Sequence, residues 1–178
     1  MKKFLASVVV ILIVFVVYSQ IKMKSNNPDH LLSQVDLIES YIAQRDVRNT
    51  EVSKADVAWH LDHMLKTILA IGETLSDSNP ELYESSFSFI GTMSLTFNYI
   101  PRGRAQSPAS VRPPDVIHTE DIEKQLALVR SRIPDLLELD KDAHFDHPVF
   151  GTINRGKSIR FLEVHTQHHL KIVKDILK

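Results

Sequence analysis

The residues able to do chemistry gather near the C-terminus, in Phe161-Leu162-Glu163-Val164-His165-Thr166-Gln167-His168-His169-Leu170-Lys171-Ile172-Val173. At about 3.6 residues per turn, His165 and His169 stand one above the other on a helix face. The apolar stripe of this segment runs through Leu162, His165, His169, Ile172 or Val173, and Ile176, so both imidazoles occupy positions where leucine is expected. Two inward-facing histidines need hydrogen-bond partners or a metal. A third histidine aimed at the same place favours the metal, and His60 is the candidate. On a helix with the stripe Val57, Leu61, Met64, Ile68, Ile71 and Leu75, His60 lies within about 60° of the stripe's centre, whereas His63 is turned about 120° away. Such a three-nitrogen set leaves a coordination position open for water or substrate. A divalent ion held there lowers the pKa of a bound water or thiol and makes a nucleophile near neutral pH. There is no His-Glu-x-x-His, so zincin peptidase chemistry is not suggested.

Composition narrows the ligand chemistry. Cysteine is absent, which excludes disulfides, thiolate sites and cysteine nucleophiles, so any metal must be held by nitrogen and oxygen. Histidine is abundant, with nine in 178 residues. The net charge of −1 is built from interspersed charges of both signs, with no basic field that would suit nucleic acid. Glycine is scarce and no phosphate-cradling loop is present.

The elements that must position these histidines follow from periodicity and caps. Residues 1–24 are a unit apart: Met1-Lys2-Lys3 precedes an uncharged run from Phe4 to Ile21, at the lower edge of a membrane-spanning length. It reads as a signal anchor, or as a signal peptide cut near Val17-Tyr18-Ser19. The domain then lies outside the cytoplasm, membrane-anchored or exported. Residues 25–178 form the domain. Ser25-Asn26-Asn27-Pro28 is a linker opening a first helix to about Arg45. Ser53-Lys54-Ala55-Asp56 resembles a capping box that starts a second helix to about Leu75. Asn79-Pro80 opens a third, carrying Leu82, Tyr83, Phe87, Phe89, Ile90, Met93, Leu95 and Phe97 as the aromatic heart of the core. The aperiodic stretch from Ile100 to Ile117 holds Arg102, Arg104 and Arg112, whose guanidinium forks suit an anionic ligand and equally suit a solvated loop. Thr119 caps a fourth helix, kinked at Pro134. Ala143 to Gly151 is a loop containing His144 and His147, and a last helix runs from about Arg155 to Leu177. No strand is expected. The fold class is all-α, a bundle of about four or five antiparallel helices behind an N-terminal hydrophobic helix.

Ser53 followed by His60-Leu61, with His165-x-x-His168-His169 on the terminal helix, resembles the DinB/YfiT-like superfamily of metal-binding helical bundles. The segments Val57-Ala58-Trp59-His60-Leu61-Asp62-His63, Ile100-Pro101-Arg102-Gly103, His147-Pro148-Val149-Phe150-Gly151 and His165-Thr166-Gln167-His168-His169-Leu170 are similar to a branch described as a domain of unknown function. The resemblance covers about Asp29 to Lys178. It implies a DinB-like four-helix bundle with His60, His165 and His169 as ligands of a divalent metal: nickel, zinc, iron or manganese. Ile172 stands where the family often has glutamine. Some relatives are thiol-dependent transferases or hydrolase-like.

Two classes of function are therefore expected. One is a metal-dependent enzyme that transfers a thiol or hydrolyses a small molecule; no general base accompanies it, because Asp62 and Glu163 point away by helical phase. The other is a non-catalytic metal- or ligand-binding bundle displayed at the membrane. The expected partners are a thiol or small-molecule substrate, the membrane through the N-terminal helix, and a second copy of the chain, but not nucleic acid.

Overall fold

The computed structural model describes residues 2–24, 27–103 and 106–178, and these are mostly helical. In order, the helices are α1 (Lys2–Lys22), α2 (Asp29–Ser40), α3 (Val57–Asp77), α4 (Phe89–Phe97), α5 (Thr119–Arg132) and α6 (Asp135–Glu138). A hairpin of β1 (His144–His147) and β2 (Gly151–Asn154) leads into α7 (Arg155–Ile176).

The core forms where α2, α7, α3 and α5 pack in a closed ring, each touching the next. Burial follows that ring. Leu31, Val35 and Ile38 enter from α2, Leu61, Met64, Leu65 and Ile68 from α3, Ile122, Leu126 and Val129 from α5, and Ile159, Leu162, Val173 and Ile176 from α7. Helix α1 is different: its apolar side chains from Phe4 to Val17 are mostly exposed, and only its C-terminal end, at Ser19 and the following Met23, is buried against the domain.

Local caps decide where elements start. Asp56, not Ser53, caps α3, its carboxylate accepting from the Trp59 amide at 2.9 Å. The Ser53 hydroxyl accepts instead from the Ala55 amide at 3.1 Å, which releases it to meet His60. Thr119 is the first residue of α5 rather than its cap; its hydroxyl accepts from Arg45, which also donates to the Ile117 carbonyl. Pro134 separates α5 from α6 as expected from its missing amide. Asn154 caps α7 by accepting from the Lys157 amide.

Two expectations need correction. The third helix does not begin at Pro80: Pro80–Leu82 is a single 3₁₀ turn, and the helix starts at Phe89. Ser85, Ser86 and Ser88 lie between, and serine hydroxyls compete with helix by bonding local backbone. Ser88 in fact caps α4, accepting from the Gly91 amide at 3.0 Å. Nor is this segment the heart of the core, since Leu82, Phe87, Phe89, Ile90 and Phe97 all face outward.

The second correction is the hairpin at residues 144–154, where a loop without strands was expected. His147 pairs with Gly151 across it, and the amides of Val149 and Phe150 both donate to His147 Nδ1. Gly151 sits at φ 73, and a Cβ there would fall 2.1 Å from Ser86 Oγ, so only glycine closes this turn. Four-residue strands are too short to display an alternating pattern.

Candidate metal centre

Helices α3 and α7 cross so that four imidazoles meet: His60 and His63 from the first, His165 and His169 from the second. His60, His63 and His169 are buried and His165 is half-buried. The ring centroids of His63 and His165 are 5.0 Å apart, those of His63 and His169 4.7 Å, those of His165 and His169 4.6 Å and those of His60 and His169 5.2 Å.

His63 was expected to turn away, and it does not. Residues three apart on a helix differ by about 60° around the axis, so His60 and His63 address one space. Helix α3 is buried nearly all round in its first two turns because it packs on α7, on α5 and on the 3₁₀ turn Ala109–Val111. A single stripe centre is therefore a poor guide to its inward positions.

Hydrogen bonds separate the roles of the two α3 histidines. The Val111 carbonyl can only accept, so His63 Nδ1, 2.8 Å away, carries the proton, and the lone pair is on Nε2. That lone pair faces His165 Nε2 at 3.3 Å. Two nitrogens bound to one tetrahedral ion at about 2.0–2.1 Å stand about 3.3–3.4 Å apart. The separation between His63 and His165 thus matches an edge of that tetrahedron. His63, His165 and His169 each offer a ring nitrogen within 4.8 Å of the other two.

His60 has both nitrogens engaged: Nδ1 meets His169 Nδ1 at 2.9 Å, and Nε2 meets Ser53 Oγ at 3.1 Å. The contact with His60 leaves Nε2 of His169 free for a ligand. Trp59 stacks on His63 with centroids 4.9 Å apart and an interplanar angle of 28°. His165 Nδ1 is buried without a hydrogen-bond partner, an atom that a dry, fully satisfied core would not leave in that state.

Burial keeps all four rings neutral. It lowers His60 to about 3, with the neighbouring His63, His168 and Arg102 adding to the effect. Burial likewise lowers His63, partly opposed by the Val111 carbonyl, and holds His165 and His169 well below the ordinary histidine value. Neutral imidazole is the form that ligates a metal.

The carboxylates near these histidines are committed elsewhere. Asp62 is buried, pairs with Lys66 at 2.7 Å and accepts from Gln125 at 2.7 Å. Glu163 is buried and pairs with Arg160 at 3.0 Å. Of the three loop arginines, Arg104 lies outside the described residues. Arg102 pairs with Asp175 on α7 at 2.7 Å, close enough to His60 and His168 for its charge to depress both. Arg112 donates to the Ser107 carbonyl and lines an open surface pocket with Trp59, Gln106 and Ser107. His168 is half-buried beside His169, with ring centroids 5.0 Å apart, while His144 and His147 belong to the hairpin. Comparison with family models, curated proteins and solved structures finds no match for this chain.

Proposed function

We propose that this chain is a DinB-like bundle, anchored in a membrane through α1, that binds one divalent metal through His63, His165 and His169. In this reading His60 is not a ligand. It holds the His169 ring through their Nδ1 contact and is itself held by Ser53, as the Val111 carbonyl holds His63. Partners on the non-ligating nitrogen of a metal-bound histidine fix its tautomer and raise its basicity. The observation that carries the reading is the 3.3 Å separation of two Nε2 atoms, one of them deprotonated by its carbonyl partner.

Neutral imidazole suits nickel, zinc and iron, whereas manganese favours the oxygen ligands that three histidines do not supply. Bound by three protein ligands, such an ion keeps a place for a water or thiol and lowers its pKa, which serves a transferase or hydrolase acting on a small molecule. Trp59 covers one face of His63 and limits the approach of water from that side. With Asp62 and Glu163 both paired, no carboxylate is assigned as a base.

A second reading is favoured by the closeness of His60. Were that ring to swing from Ser53, a fourth nitrogen would complete a closed, non-catalytic site. Elemental mass spectrometry of the full chain purified in detergent, beside a His165→Ala/His169→Ala control, tests for the site. About one equivalent of metal, lost in the control, is expected; a chain that cannot be loaded refutes both readings. Cobalt substitution then separates them: added thiol or azide shifts the visible spectrum of an open site and leaves a closed one unchanged.

A further inference from the structure

Helix α4 is built inside out. The residues it turns toward the domain are Gly91, Ser94, Leu95 and Thr96, while Phe89, Ile90 and Phe97 are 67%, 57% and 53% exposed. Phe87 just before it and Tyr99 just after it are 82% and 63% exposed. From Ser85 to Pro101 the chain carries no Asp, Glu, Lys, Arg or His. A water-facing helix normally shows the opposite arrangement, and a contiguous apolar face of this kind marks contact with another apolar phase.

The helix is not loose. Ser88 accepts from the Gly91 amide and donates to the Val149 carbonyl at 2.8 Å, and Arg160 of α7 donates to the Leu95 carbonyl at 3.1 Å. Gly91 lies so close to Phe150 that a Cβ would meet it at 3.2 Å. The aromatic face is held outward by the fold.

What lies beside that face identifies its occupant. Helix α4 packs against α1, where Phe97 stacks on Phe15 with centroids 6.2 Å apart. Helix α1 is long and apolar enough to cross a bilayer. Phe15 is seven residues before Lys22, the end of α1, which is about 10 Å at 1.5 Å per residue. With α1 as the anchor, Lys22 and Lys24 would stand at the headgroup level, and Lys157 of α7 is near enough to Lys24 for that charge, after burial, to lower its pKa. Interfacial helices bury their apolar face about 5–10 Å into the headgroup and acyl boundary, at the depth where aromatic side chains collect.

We propose that α4 and its flanking aromatics form a second membrane contact, lying in the bilayer surface beside α1 with Phe87, Phe89, Ile90 and Phe97 immersed. The inference rests on the anchoring role of α1 given above. It assigns the face to lipid, not to a protein partner, because the uncharged face is continuous with the exposed apolar surface of α1.

The absence of cysteine makes the test clean. Ile90→Cys, Val10→Cys and Glu123→Cys versions of the full chain are labelled with an environment-sensitive fluorophore. They are reconstituted into phosphatidylcholine vesicles containing phosphatidylglycerol, and quenched by aqueous iodide or by lipids carrying doxyl groups near the headgroup. Glu123 is an exposed position on α5, across the bundle from α4. The expected result is iodide quenching at position 90 about fivefold weaker than at position 123, with strong doxyl quenching, as for a group below the headgroups. Iodide quenching at 90 equal to that at 123, with position 10 immersed, overturns the α4 contact and leaves the anchor standing. Exposure of position 10 overturns both. Protection of position 90 from both quenchers, with energy transfer between labels on different chains, overturns the lipid contact in favour of a second copy.

Discussion

The two α3 histidines give opposite forecasts, and their ranking is the sharpest check on the site. His63 is assigned as a ligand because the Val111 carbonyl leaves its Nε2 lone pair facing His165. His60 is assigned to the outer shell because both of its nitrogens already have partners. Structural zinc sites bind with about 10–16 kcal/mol over four ligands, so losing one ligand costs about 3 kcal/mol, more than a hundredfold in Kd. Losing an outer-shell partner costs about 10–100-fold, and His60 supports only one ligand, so about tenfold is expected. Competition of His63→Ala and His60→Ala full chains against a chromophoric chelator measures both. Cobalt spectra supply a second readout, since removing a ligand changes the ligand-field bands and removing its support leaves them in place. If His60→Ala costs more than His63→Ala and is the variant whose spectrum changes, the hydrogen-bond argument fails. The ligand set His60, His165 and His169 then stands.

Three further outcomes follow from other parts of the molecule. Burial lowers the pKa of His147 to about 4; because this is below the unfolded value of about 6.5, the neutral ring contributes stability to the hairpin that is fully present above about pH 6.5 and is lost as pH falls toward 4. Protonated Nδ1 can no longer accept from Val149 and Phe150, and an NMR titration midpoint near 6.5 instead of about 4 would contradict this. Arg160→Ala removes a partner from buried Glu163 and from the Leu95 carbonyl; urea unfolding should show a loss of about 3 kcal/mol, and an unchanged midpoint refutes the pairing. Gly151→Ala forces a side chain into positive φ and against Ser86, which should cost about 2 kcal/mol in thermal unfolding. Adding Ser86→Gly should recover part of that loss, and no recovery would remove Ser86 as the cause.

Much of the helical frame was legible from local pattern. The stripe read on α7 holds as far as it goes: Leu162, His169, Ile172, Val173 and Ile176 are buried and His165 is half-buried, although Phe161, Glu163, Val164 and Thr166 are buried beside them. The anchor-like run was equally plain, since apolar composition over the length of α1 needs no tertiary information. Pro134 announced the break after α5.

The rest was decided in three dimensions. A helical wheel measures direction from one axis, whereas α3 is enclosed by α7, α5 and the turn at Val111, so inward had several directions there and His63 found a partner that His60 did not. The aromatics around α4 look like core to any scale of hydrophobicity, yet core membership depends on which neighbours arrive. Those positions instead meet the flank of α1 and open surface. The hairpin turn joins a local contact, His147 Nδ1 accepting the amides two and three residues on, to the passage of Gly151 past Ser86, a residue far away in the chain. Local pattern therefore suffices for a helical protein with an apolar N-terminal helix and inward histidines on its last helix. Which ring nitrogens meet, His60 with His169 and His63 with His165, was settled in three dimensions, because it turns on separations of a fraction of an ångström between side chains from different helices.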